Sequence, residues 1–235
     1  MAYKIICYGD SNTYGACGFA GGRHHADIRW TGILQNSGLY DVVNLGENGR
    51  EIPSDQWELN ELTEILRRES DFNLLTVMLG TNDLLTMVRS GSAKVAVRME
   101  QFLTEFLQVQ PMVCRPEQVL LIAPPSTALG EMAPSSTGLD EACRELGDYY
   151  ADIAEKLHLH FVNASVWPVE LGADGVHMTA KGHQIFAEEL KILPDQTGTI
   201  IAFFPWDATR ESHKISAETG REIVGFYCIP SSRLI

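Results

Sequence analysis

Five residues in this chain are of the types that acyl-transfer chemistry needs: Ser11, Gly49, Asn82, Asp174 and His177. A serine hydroxyl is a weak nucleophile at neutral pH, so it attacks a carbonyl only if an imidazole takes its proton. The imidazole needs a carboxylate to hold one tautomer and to stabilise the imidazolium. Asp174 stands three residues before His177, so one loop can supply both groups. The oxyanion then requires preorganised donors; backbone N–H groups at Ser11 and Gly49 and the Asn82 side-chain amide would make three. Gly49 suits a close approach of backbone to substrate because it has no Cβ.

The elements that must position these groups are visible in the pattern around them. An apolar run through Ile5, Ile6, Cys7 and Tyr8 stops at Gly9, a small polar cluster follows, and Gly15 closes it. This reads as a buried strand ending in a tight turn that holds Ser11 at the carboxyl edge of a sheet. Ligands bind at that edge in open α/β sheets. Taken alone, the stretch also fits a helix N-cap, since Asp, Ser, Asn and Thr are preferred caps.

Further strands are predicted at 40–45, 72–79, 118–123 and 159–162, and helices at 29–37, from 53 onward, 93–109, 139–157 and 180–190. The third strand is apolar on both parities, as a strand covered on both faces should be. Trp57, Leu59, Leu62, Ile65 and Leu66 recur at helical intervals and define an apolar face. Strands alternating with helices imply a mostly parallel sheet with helices on both faces. Beyond residue 194 the pattern turns β-rich without an intervening helix. Residues 199–206 and 221–229 read as a hairpin or swapped arm, so the division is a domain at 1–194 and an extension at 195–235.

A net charge of −13 argues against nucleic acid and against an anionic membrane surface as partners, and favours a substrate that is not strongly anionic. Five scattered cysteines (Cys7, Cys17, Cys114, Cys143, Cys228) without a CxxC pair fit reduced thiols better than a disulfide framework or a zinc site. With no visible signal segment or membrane-length apolar run, the expected location is cytoplasmic.

GDSN at 9–12, NLGENG at 44–49, GTND at 80–83 and DGVH at 174–177, present in that order, resemble the four blocks of the SGNH (GDSL-type) hydrolase family. The resemblance covers about residues 3–192. It implies a three-layer α/β/α sandwich with a flavodoxin-like sheet, a serine ester hydrolase, and no metal or cofactor. Ser11 matches the nucleophile, Asp174 and His177 the acid and base, and Gly49 and Asn82 the further oxyanion donors. Gly49 is matched rather than Gly46 because the family glycine follows the strand-end Asn, here Asn44, by five positions. The Arg29-Trp30-Thr31-Gly32 stretch looks most like the arylesterase and acyltransferase branch, which implies short acyl chains and a homo-oligomer. The chain departs from many relatives at Asn12, where they carry Leu or Ile, and after residue 194. The G-x-S-x-G elbow of ordinary α/β-hydrolases fits poorly, because Thr13 stands where its second Gly belongs.

Other residues have plainer readings. Asn12, Tyr14 and Trp30 are candidates for the substrate pocket, with packing as the alternative for Tyr14 and Trp30. Asp10 and Asp83 read as residues that tie the turns together by hydrogen bonds rather than as acids. Phe102, Phe106, Tyr149 and Tyr150 read as core, and His24, His25, His158 and His160 as structural or exposed. The expected substrate is a small carboxylic ester. A carbohydrate O-deacetylase and a non-catalytic binding protein on the same fold are the alternatives.

Overall fold

The first apolar run forms the middle of a sheet. The computed structural model describes residues 2–18, 21–86, 91–190, 192–194 and 200–202. Five strands, β1 (Tyr3–Gly9), β2 (Tyr40–Gly46), β3 (Leu74–Met78), β4 (Val119–Ala123) and β5 (His160–Asn163), lie in the order β2-β1-β3-β4-β5. All four pairings are parallel. The helices are α1 (Ser11–Tyr14), α2 (Trp30–Asn36), α3 (Gln56–Arg68), α4 (Thr81–Thr86), α5 (Gly91–Val109), α6 (Leu129–Met132), α7 (Thr137–Leu157) and α8 (Ala180–Glu189). This is the three-layer, flavodoxin-like α/β sandwich expected from the alternation of strands and helices.

Two cores form because β1, β3 and β4 send alternate side chains to opposite faces. Ile6, Tyr8, Leu75, Val77, Val119 and Leu121 meet α3, α5 and α7 through Leu62, Leu66, Met99, Phe106, Leu146 and Tyr150. Ile5, Cys7, Leu74, Leu120 and Ile122 meet α2 and α8 through Trp30, Leu34 and Phe186. The Trp30 and Phe186 rings lie 5.1 Å apart between those two helices. Cys7, Cys17, Cys114 and Cys143 are free thiols.

Register sets the site. Gly9 pairs with Gly46 on one side and Met78 on the other, so β1, β2 and β3 end level with one another. The chain leaves β1 for one neighbour and returns to the other, which opens a crevice at the carboxyl edge above β1.

Several expectations need correction. Trp57 does not face the core and is 70 % exposed. It shares a helix face with Glu61, Glu64 and Arg68 rather than with buried Leu59, Leu62 and Leu66, so its spacing belongs to the solvent side. Tyr149 is likewise exposed, while Phe102, Phe106 and Tyr150 are buried. The polar turn after β3 is a short helix, α4. Of the two tail strands, the first is present in part as β7 (Ile200–Ala202), paired antiparallel with β6 (Ile192–Pro194). The second, at 221–229, lies outside the described residues. No helix among the described residues is long and apolar enough to cross a membrane.

Tyr150 couples α7 to the rim: its phenol is fully buried and donates to the Leu79 carbonyl at 3.0 Å, three residues before Asn82. Tyr150→Phe strands that carbonyl in the core. Unfolding in urea should show a loss of about 1–2 kcal/mol; an unchanged midpoint would mean that the bond contributes nothing.

Candidate active site

Ser11 is the first residue of α1, directly after the strand that ends at Gly9. Asp10 caps this helix by accepting the Asn12 N–H at 2.9 Å. As the first helical residue, Ser11 has no intrahelical acceptor for its own N–H, which faces the anion-favouring end of the turn. Ser11 is 6 % exposed, so its hydroxyl lies in a recess rather than on an open face.

His177 reaches this serine from the loop between β5 and α8. Its Nε2 lies 3.0 Å from Ser11 Oγ, and its Nδ1 lies 2.7 Å from Asp174 Oδ2. The other oxygen of Asp174 accepts the backbone N–H groups of Val176 and His177 at 3.0 and 2.9 Å. Burial opposes the charge on Asp174. The N–H groups and the His177 ring outweigh that cost and hold its carboxyl below the usual range, so it stays ionised. Gly18 lies close by: a Cβ there would fall 1.8 Å from Asp174 Oδ2, so a larger residue would have to displace the carboxylate.

Gly49 and Asn82 arrive at the same rim. Gly49 sits at the exposed tip of the loop after β2 with φ +76°, a left-handed conformation that glycine adopts without penalty. Asn82 Nδ2 donates to the Arg50 carbonyl at 3.0 Å, which ties α4 to this loop. The second amide hydrogen of Asn82 has no acceptor among the described residues.

Charged residues hold the Gly49 loop. Arg50 Nη1 donates to the carbonyls of Gly9 and Leu45, its Nη2 pairs with Glu47 at 2.6 Å, and its guanidinium lies 4.3 Å from the centre of the Tyr8 ring. Fully buried Asp83 accepts the Ile52 N–H and pairs with Arg98 at 3.0 Å, while Arg98 donates to the Ile52 carbonyl. Burial raises the Asp83 carboxyl and Arg98 works against that rise. Asp10 and Asp83 are thus ties within and between turns, as expected. Arg50 and Arg98 went unrecognised in the sequence. The position of Arg50 directly after Gly49 was the available signal for one, and nothing local marks the other.

The structure brings Ser11, His177 and Asp174 into one hydrogen-bonded chain and sets Gly49 and Asn82 on adjoining turns. It does not place Asn12 or Trp30 in a pocket. Trp30 is fully buried, donates its indole N–H to the Asn12 carbonyl at 3.2 Å and packs in the core. Asn12 is 4 % exposed and its side chain is spent on the His177 loop, with Nδ2 donating to Val176 O and Oδ1 accepting Met178 N–H. Tyr14 is half-buried, with the Arg23 guanidinium 4.1 Å from its ring centre. His24 contacts Met178 O at 3.3 Å and His160 contacts Glu117 O at 3.1 Å. Among the described residues, no group of three or more His, Cys, Asp or Glu could hold a metal ion.

Burial, opposed by the Asn12 N–H, pushes the Asp10 carboxyl from its ordinary 3.8 to about 6. The folded state therefore binds the proton more tightly than the unfolded chain, and stability from this group falls as pH rises from about 4 to about 6. Asp10→Asn keeps the capping oxygen and removes the titration. Its stability relative to wild type should improve between pH 4 and 7, by on the order of 3 kcal/mol, in urea unfolding. A difference that stays flat with pH would rule this out.

A family model described as GDSL-like lipase/acylhydrolase matches residues 7–185. Among solved structures, the native M. smegmatis aryl esterase is 26 % identical with a TM-score of 0.64, over 80 % of this chain and 97 % of that one. A carbohydrate acetylesterase family member from Sinorhizobium meliloti is 25 % identical with a TM-score of 0.66, over 80 % and 95 %. No curated protein matches the chain. The matched span runs from β1 into α8 and so takes in all four polar turns. By that match the chain belongs to the GDSL-like lipase/acylhydrolase family, and it is a serine hydrolase acting on ester bonds.

Proposed function

We propose that the chain is an esterase for small, short-acyl carboxylic esters, with Ser11 as nucleophile, His177 as general base and acid, and Asp174 as the orienting carboxylate. Ser11 Oγ attacks the acyl carbon while His177 Nε2 takes the hydroxyl proton. The oxyanion is received by the N–H groups of Ser11 and Gly49 and by the second amide hydrogen of Asn82. The bond to the leaving oxygen breaks as His177 returns the proton to the departing alcohol, leaving an acyl group on Ser11. Water, deprotonated by His177, then releases the acid; an alcohol in its place gives a new ester.

One observation carries this reading: the unbroken hydrogen-bond chain from Ser11 Oγ through His177 to Asp174, at 3.0 and 2.7 Å, between loops 166 positions apart. Short acyl chains are supported by the recessed serine and by the S. meliloti relative, which is described as an acetylesterase. That relative also supports the second reading, a carbohydrate O-deacetylase of the same mechanism. The net charge of −13 favours a neutral substrate in either case.

Intact-mass spectrometry after treatment with a fluorophosphonate should show one adduct on wild type, none on Ser11→Ala and slow formation on His177→Ala. Either variant should lower kcat/KM for p-nitrophenyl acetate by about 10³-fold or more. Acetate should be preferred to octanoate by about tenfold or more. Faster turnover of sugar acetates than of p-nitrophenyl acetate would select the deacetylase. Wild-type esterase activity in Ser11→Ala, or no adduct on wild type, would overturn the assignment.

A further inference from the structure

The segment 176–178 that carries His177 belongs to neither a helix nor a ladder strand, yet all six of its backbone polar groups have partners. Val176 and His177 N–H donate to Asp174 Oδ1, and the His177 carbonyl accepts the Gly172 N–H at 2.7 Å. The Met178 carbonyl meets His24 Nε2. The remaining two groups, Val176 C=O and Met178 N–H, stand on either side of the base, and one carboxamide takes both. Asn12 Nδ2 donates to the first at 3.0 Å, and Asn12 Oδ1 accepts from the second at 2.9 Å.

Asn12 is also the covalent neighbour of Ser11, and its own backbone is fixed twice. Its N–H is held by Asp10 Oδ1 at 2.9 Å and its carbonyl by the Trp30 indole at 3.2 Å. A closed circuit results. Ser11 is bonded to Asn12, Asn12 holds the backbone before and after His177, and His177 Nε2 returns to Ser11 Oγ at 3.0 Å. A shift of one loop against the other must break a buried hydrogen bond before it lengthens the Ser–His contact.

From this geometry we infer that Asn12 is a positioning residue that sets the distance and orientation of His177 relative to Ser11 and takes no part in binding the acyl group. The inference rests on the assignment of Ser11 and His177 as nucleophile and base. Few side chains satisfy the requirement. It needs one donor and one acceptor on a short, rigid stem, which Asn has, while Leu has neither and Asp has only acceptors. A base displaced by about 1 Å costs on the order of 10²-fold in rate, whereas ground-state binding of a small ester is left as it was.

The test is a double-mutant cycle between Asn12→Leu and His177→Ala, read with p-nitrophenyl acetate hydrolysis and the rate of fluorophosphonate capture by Ser11. Asn12→Leu alone should lower kcat by about 10- to 100-fold with KM within about twofold, and slow capture by a similar factor. In the His177→Ala background the same change should add less than about twofold, because no base is left to misplace. Asn12→Asp, of the same shape with an acceptor where Val176 requires a donor, serves if the leucine variant does not fold. It should show the same kcat-selective loss and the same silence without His177. A raised KM or altered acyl-length preference at unchanged kcat would return Asn12 to the substrate pocket and overturn the inference, as would an equal loss in both backgrounds. High activity in His177→Ala itself would instead bring down the assignment on which the inference rests, so the two failures are distinguishable.

Discussion

Strand β1 is held between β2 and β3 by two parallel ladders, and their register puts Gly9 level with Gly46 and Met78. On that alignment depends the meeting of three turns from separate parts of the chain at one height. A slip by one residue would send Ile6 and Tyr8 to the face now occupied by Ile5 and Cys7, exchanging the two cores. The cores thus specify the register, and the register specifies the rim.

Ladders stop where the rim begins, so the turns of the candidate site are held by other means. Polar side chains reach across to neighbouring backbone: Arg50 to Gly9 and Leu45, Asp83 and Arg98 to Ile52, Asn82 to Arg50, and Asn12 to Val176 and Met178. Several of these are charges taken out of water, and burial pushes the Asp83 carboxyl upward while Arg98 opposes the rise. Apolar packing would hold the loops with less penalty but without direction. Hydrogen bonds to named carbonyls and N–H groups give the turns direction as well as contact, which matters where a misplacement of about 1 Å costs on the order of 10²-fold in rate.

Much of this was readable in the chain. Strands buried on both faces appear as apolar runs, so β1, β3 and β4 could be placed, shorter apolar runs marked the edge strands β2 and β5, and polar clusters containing Ser, Asn and an Asp–His pair at the strand ends pointed to the candidate site. What was not readable has a common cause: it depends on partners remote in sequence or on elements too short to have a period. The use of Asn12 is set by residues 164 and 166 positions away, and that of Arg98 by Asp83 and Ile52 on other elements. Six residues of α4 give no helical repeat to recognise. Trp57 misled because large apolar residues dominate a periodicity reading even when the solvent face carries them.

The space that Gly18 leaves by having no Cβ is occupied by the carboxylate of Asp174. The loop near the amino terminus and the loop near the carboxyl end of the domain are therefore moulded against one another, like two halves of a cast. A change of residue at position 18 is therefore felt at Asp174. Variation at position 18 is limited by an acid that lies 156 positions along the chain. At this position the first loop is tied to the Asp174–His177 turn by the room that a side chain would need.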